Sequence, residues 1–144
     1  MPDRIARLIA DEDDSNTTPC IISSIAALLR RDPNVEQAFL CTEHVVHIHK
    51  LRDEGAHFCG YRNMQMLCLA LGQSGKYKGD EYDLRQRLNI IELQDTIERA
   101  WDGGINVHGR EQIGDIKGTW KHVGTSEVCS SSAQESCFRL METG

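Results

Sequence analysis

Apolar positions recur with helical spacing in four stretches of the chain. Ile21, Ile22, Ile25, Leu28 and Leu29 follow Pro19 and predict an amphipathic helix that stops near Asp32-Pro33. His44 to Arg52 places Val45, Ile48 and Leu51 at one-turn spacing, which predicts a second helix ended by Gly55. Met64, Leu67, Cys68 and Leu71 repeat at i, i+3, i+4 and i+7, so a helix of about four turns follows Cys59. Ile90, Leu93, Ile97, Ala100 and Trp101 form one stripe of a further helix, closed by Gly103-Gly104. Val35 to Leu40 fits an extended or a helical segment equally well by period. Asp115 to Glu127 reads as a short helical or loop element around a buried Trp120. Gly72 to Asp80 is a glycine-rich exposed loop without Walker spacing, so it is no phosphate cradle.

The two ends have a different pattern. Residues 1–18 are polar and acidic apart from Ile5, Leu8 and Ile9, and are expected to be a mobile acidic leader. Residues 129–144 begin Cys129-Ser130-Ser131-Ser132-Ala133-Gln134-Glu135-Ser136 and offer no helical face, a divergent tail. Residues 19–128 remain as one domain, with no internal repeat and no linker.

A chain of 144 residues suits one small domain with a core of its own. Its 16 Lys+Arg against 22 Asp+Glu leave a net charge of −6, which speaks against nucleic acid as a partner. An acidic surface suits a partner with a basic tail instead. No apolar run approaches the ~20 residues of a membrane span. Asp11-Glu12-Asp13-Asp14 sits where a signal peptide would need its apolar region. The six cysteines are therefore expected as free thiols in a reducing compartment, cytoplasmic or nuclear.

The chemistry concentrates at one of those thiols. Cys59 follows a turn and precedes an amphipathic helix, whose unpaired N–H groups and dipole favour a thiolate. That is the placement a cysteine protease requires of its nucleophile. Cys68 lies on the apolar stripe and belongs to the core, while Cys20 and Cys41 carry no functional argument. Cys41, His44, His47, His49, His57 and Cys59 crowd into one stretch, but without Cys-x-x-Cys and with no common zinc spacing, so no metal site is expected. No Gly-x-Ser-x-Gly and no Gly-x-Gly-x-x-Gly is present, and no cofactor is expected.

The stretch Phe58-Cys59-Gly60-Tyr61-Arg62-Asn63-Met64-Gln65-Met66-Leu67 resembles the nucleophile motif of one papain-like cysteine peptidase family. That family comprises the ubiquitin-fold-modifier proteases and the zinc-finger-containing deubiquitinases. Three further blocks are similar to it: Val35 to Cys41 with His49 to Arg52, Ile91 to Trp101 with the glycines after it, and Gly118 to Val128. The arrangement looks more like the deubiquitinase branch, fungal-type members in particular. The resemblance implies an α/β papain-like fold, of which this chain carries the N-terminal helical half, with most of the sheet missing. Domains of that kind generally need more residues than this chain has.

By the same resemblance Cys59 is the nucleophile, and ubiquitin or a ubiquitin-like modifier with its conjugates is the partner. Glu127 stands at a family position that meets the modifier's arginine-bearing tail, and Asn106 at a second one where a relative carries an aspartate. Papain-like enzymes place the catalytic His and its Asp or Asn well over a hundred residues after the cysteine. Of the histidines after Cys59, His108 and His122, neither aligns with the catalytic one, so the sequence reads as catalytically incomplete. The alternative is a non-catalytic ubiquitin-binding or interaction protein derived from the family.

Overall fold

The computed structural model of the chain describes residue 12 and residues 14–54, 56–75 and 83–128. Strand β1 (Thr17–Thr18) follows a 3-10 turn at Asp14–Asn16, and helix α1 spans Ile21–Leu29. Strand β2 (His47–Ile48) and a 3-10 turn at Arg52–Glu54 lead into helix α2 (Cys59–Gln73). Helices α3 (Ile90–Asp102) and α4 (Val107–Ile113) come next, and residues 125–128 make one further helical turn. The divergent tail and the second half of the glycine-rich loop lie outside the described residues.

The core is built where α2 meets α3. Phe58, Tyr61 and Met64 come from the start of α2, and Leu93, Ile97 and Trp101 from one stripe of α3. Leu84, Leu88, Ile116 and Val123 from the connecting segments close it. Helix α3 begins where its sequence supplies a capping box. The Asn89 side chain accepts the Glu92 N–H at 2.9 Å, and the Glu92 carboxylate accepts the Asn89 N–H at 2.7 Å. Helix α1 has the expected period and yet buries none of its residues among those described. No helix among the described residues is long and apolar enough to cross a membrane.

The helix expected over His44 to Arg52 is absent. Residues 47–48 are instead a strand, paired antiparallel with β1 through Thr17↔Ile48 and Thr18↔His47. Asn16 captures this segment from 33 residues away: its side chain donates to His49 O at 2.6 Å, and its carbonyl accepts the His49 N–H at 3.0 Å. The β-branched Val45, Val46 and Ile48 accept the extended conformation at little cost. The architecture is thus mainly helical, with one short antiparallel sheet among the described residues.

A buried ionic cluster ties these pieces together. Arg62 on α2 forms ion pairs with Glu54 and with Glu12, and the side chains are 3%, 1% and 5% exposed. Burial alone would lower the Arg62 pKa. The hydrogen bonds and charges of Glu54 and Glu12 outweigh it and hold the guanidinium above its ordinary value. Glu12 also accepts from Gln65 at 2.6 Å, from Arg87 at 3.1 Å and from the first N–H of α3, on Ile90, at 3.3 Å. Arg87 reaches Asn16 at 2.8 Å. Glu12 and Asn16 therefore sit inside the domain, although both fall in the stretch expected to be a mobile leader. The acidic residues of that stretch supply carboxylates to both arginines: Glu12 pairs with Arg62 and Arg87, and Asp14 lies 3.7 Å from Arg87.

Removing Arg62 should be costly, because it leaves two buried carboxylates facing each other. Arg62→Met is expected to lose about 3–5 kcal/mol in urea unfolding, and replacing Glu12 and Glu54 by Gln in the same chain should restore part of it. A loss under about 1 kcal/mol would show that the cluster contributes no more than a surface pair.

Candidate active site

Phe58 fixes where α2 begins. Its ring is buried and packs flat on Trp120, centroids 4.8 Å apart, and edge-on to Tyr61 at 5.7 Å. With Phe58 locked inward, the next residue, Cys59, becomes the first of the helix and turns outward to solvent. The first backbone N–H groups of a helix have no intrahelical acceptor, so they present partial positive charge around the sulfur. Cys59 Sγ lies 3.8 Å from His122 Nδ1 and 4.0 Å from Ala56 O. The same His122 Nδ1 is 3.4 Å from His57 O.

His122 reaches the sulfur because α3 holds the loop before it. Gln94, fully buried, accepts the Gly118 N–H at 2.8 Å and donates to Thr119 O at 3.0 Å and to Tyr61 OH at 3.3 Å. Glu98 accepts the N–H groups of Ile116 at 2.7 Å and Lys117 at 2.8 Å. Lys121 donates to Ile113 O at 2.7 Å and Asp115 O at 2.9 Å, closing the end of α4. The Tyr61 hydroxyl donates to Lys121 O at 3.3 Å, one residue before His122. Burial, chiefly, and the charges of Glu98 and Glu127 raise the Tyr61 pKa far above the ordinary 10.0, while the Gln94 hydrogen bond works the other way.

After His122 the chain passes directly over the start of α2. A Cβ on Gly60 would lie 2.5 Å from Val123 O and 2.9 Å from Val123 Cγ2, so only glycine allows this approach. A cleft of about 300 Å³ opens beside the contact, lined by Cys59, Gly60, Asn63, His122 and the segment from Val123 to Thr125. Its far wall is the turn at 125–128, capped from within. The Glu127 carboxylate accepts the Gly124 N–H and the Ser126 hydroxyl at 2.8 Å each, and Asn106 Nδ2 at 3.4 Å.

A profile of peptidase family C78 matches residues 34–136, most of the chain. The chain belongs to peptidase family C78. Among curated relatives it is 29% identical over 121 residues to mouse (Mus musculus) zinc finger-containing ubiquitin peptidase 1, covering 83% of this chain and 21% of that protein. The rat (Rattus norvegicus) protein of the same name is 29% identical over 133 residues, 88% of this chain and 22% of its own length. The cattle (Bos taurus) protein is 34% identical over 85 residues, 58% of this chain and 14% of that protein. The chain thus spans about a fifth of the length of the first two.

The C78 match contains Cys59, Asn106 and Glu127, and the structure sorts them into two groups. Cys59 stands exposed in the cleft. Glu127 and Asn106 meet each other, but Glu127 is only 3% exposed and its carboxylate faces inward. Asn106 takes a left-handed backbone, φ 53°, at the start of α4, a conformation asparagine tolerates better than most residues. His108 is away from the cleft, paired with Glu111 at 2.9 Å on an exposed face. The free thiols Cys20 and Cys41 are exposed and Cys68 is half-buried, while Cys129 and Cys137 lie outside the described residues. Sequence reasoning set His122 aside because it aligned with no catalytic position. The pertinent signal was Gly60: a glycine directly after Cys59 permits a close backbone approach, and the segment that approaches carries His122.

Two substitutions test this arrangement. Gly60→Ala should force Val123 off the start of α2 and lower stability by about 1–3 kcal/mol in a thermal or urea melt. An unchanged midpoint would mean that the contact is loose. Tyr61 predicts a pH dependence. Its folded pKa is raised, so its contribution is whole below pH 10 and falls above it, as the unfolded chain ionises first, by about 1.4 kcal/mol per pH unit. The stability gap between wild type and Tyr61→Phe should therefore shrink between pH 8 and pH 11. A constant gap would remove the buried phenol from this account.

Proposed function

We propose that this chain carries the nucleophile of a papain-like cysteine peptidase that acts on conjugates of ubiquitin or a ubiquitin-like modifier. The observation that carries the reading is Cys59, exposed at the start of a fifteen-residue helix and opening on a cleft. The names of the curated relatives, ubiquitin peptidases, support the choice of modifier.

In this reading the Cys59 thiolate attacks the carbonyl carbon after the modifier's terminal glycine. A sulfur–carbon bond forms, the amide C–N bond breaks, and the substrate lysine leaves as its amine after taking a proton. Water then opens the thioester and frees the modifier. The N–H groups at Cys59 and Gly60, at the start of the helix, would serve as donors to the developing oxyanion. Gly60 and Gly124 are among the residues that line the cleft, and their lack of side chains suits a glycine-ended tail. An arginine earlier in that tail would meet Glu127 only by displacing Asn106 or Ser126, which now hold the carboxylate. Among the described residues no carboxylate is paired with His122, so covalent capture is a more direct test than turnover.

Incubation with ubiquitin bearing a C-terminal thiol-reactive electrophile should give an adduct of one ubiquitin per chain. Cys59→Ala should abolish it. A folded chain that forms no adduct with ubiquitin, but binds it reversibly, would replace the peptidase reading with a ubiquitin-binding one.

A further inference from the structure

From the sequence alone Cys59 has no catalytic partner, and the structure places a histidine beside it. His122 comes from 63 positions downstream, on a loop held by Gln94 and Glu98, and its Nδ1 lies 3.8 Å from the sulfur. Both side chains are exposed to the same cleft. We propose that His122 takes the proton of Cys59, so that the pair rests as thiolate and imidazolium. This rests on Cys59 being the reactive thiol, as in the functional reading above, but not on the identity of the modifier.

The surroundings decide on which side of the pair the proton rests. His57 O stands 3.4 Å from the same Nδ1. A lone pair on Nδ1 would face that oxygen's own lone pairs, whereas an N–H would be shared between the carbonyl and the sulfur. The carbonyl thus favours a proton on Nδ1, in the neutral tautomer as in the imidazolium. On the other partner, the free N–H groups and dipole at the start of α2 favour the sulfur as an anion. Among the described residues Ala56 O, 4.0 Å from the sulfur, is the backbone acceptor that favours the thiol, and it lies at the limit of a sulfur hydrogen bond.

The other ionisable groups nearby leave the pair to itself. The His57 ring is turned edge-on to Trp120, centroids 5.8 Å apart, so it is the backbone of His57 that faces His122. Tyr61 is buried and its hydroxyl is directed at Lys121 O. The Lys121 ammonium is bound to the carbonyls of Ile113 and Asp115. Glu127, on the far wall, gives its carboxylate to Gly124, Ser126 and Asn106. No carboxylate lines the cleft among the described residues, so nothing there competes with the thiolate for the imidazolium.

The consequence is a nucleophile that works without the modifier. With iodoacetamide the thiolate forms a sulfur–carbon bond, the carbon–iodine bond breaks, and iodide leaves, while the proton stays on His122. The tryptic peptide Asp53 to Arg62 contains Cys59 as its only cysteine, so mass spectrometry can read its alkylation separately from the other thiols. At pH 7, His122→Gln should slow alkylation of Cys59 roughly tenfold, with exposed Cys20 and Cys41 unchanged as internal references. At pH 10 the two proteins should react within about twofold of each other, because any ordinary thiol is ionised there. Equal rates at pH 7, or the same deficit at both pH values, would overturn the pair.

A second measurement needs no histidine variant. The His122 Cε1–H resonance at pH 7 should be that of an imidazolium in the wild type and shift toward the neutral ring in Cys59→Ala. The same resonance position in both proteins would overturn the proposal. Neither experiment uses ubiquitin. Fast alkylation without a ubiquitin adduct would sink the modifier reading and uphold the pair, and the converse result would do the reverse.

Discussion

The arrangement of this domain depends on one buried guanidinium. Arg62 lies three residues after Cys59, on the inward side of the same helical turn, and its charge has no route to solvent. Desolvating such an ion costs several kcal/mol, and a single carboxylate would not offset that. Glu54, just before α2, supplies one partner, and Glu12, far away in sequence, supplies the other. Because both must be in place, the cluster sets the rotation of α2 about its axis as well as its position. The rotation that buries Arg62 is also the rotation that leaves Cys59 facing solvent.

Helix α3 holds the other half of the site through a division of its two faces. Its apolar stripe of Leu93, Ile97 and Trp101 packs into the core with α2. Its polar side, with Gln94 and Glu98, takes up the backbone groups of the loop at residues 116–119, which would otherwise be buried without partners. The loop is irregular in conformation yet held at several points, so a side chain at its end can be placed as firmly as one on a helix. Gly60 then permits the final approach, and the two halves of the site meet across a single residue without a side chain.

The helices could be read from the sequence because their signals are local. The stripe from Ile90 to Trp101 lies within one stretch of chain, and the structure reproduces it. The segment at 44–52 could not, because Asn16 decides its conformation from outside any local window. Helix α4 was missed for a related reason: it starts from a left-handed Asn106 just after two glycines that read as a simple stop. Cys59 was legible as a thiol at the start of a helix from its motif and the stripe that follows it. Its neighbour His122 was not, since the contact joins residues 63 apart in sequence. The motif named the thiol, and only packing could name its neighbour.

An imidazole beside a thiol serves two different steps, and they make unequal demands on its surroundings. To form and hold a thiolate, His122 needs only proximity to the sulfur and an acceptor for its proton, and the His57 carbonyl meets the second need. To activate water on a thioester, the ring must also lose that proton and keep its direction while it does so. A carboxylate behind the ring is the usual device for this, since it fixes the ring's orientation and steadies its charge. Here the carbonyl that favours a proton on Nδ1 works against its release, and among the described residues the ring's position rests on the loop. In the proposed reading, the same geometry that favours attack by Cys59 disfavours the hydrolytic step, and separates capture of an electrophile from turnover.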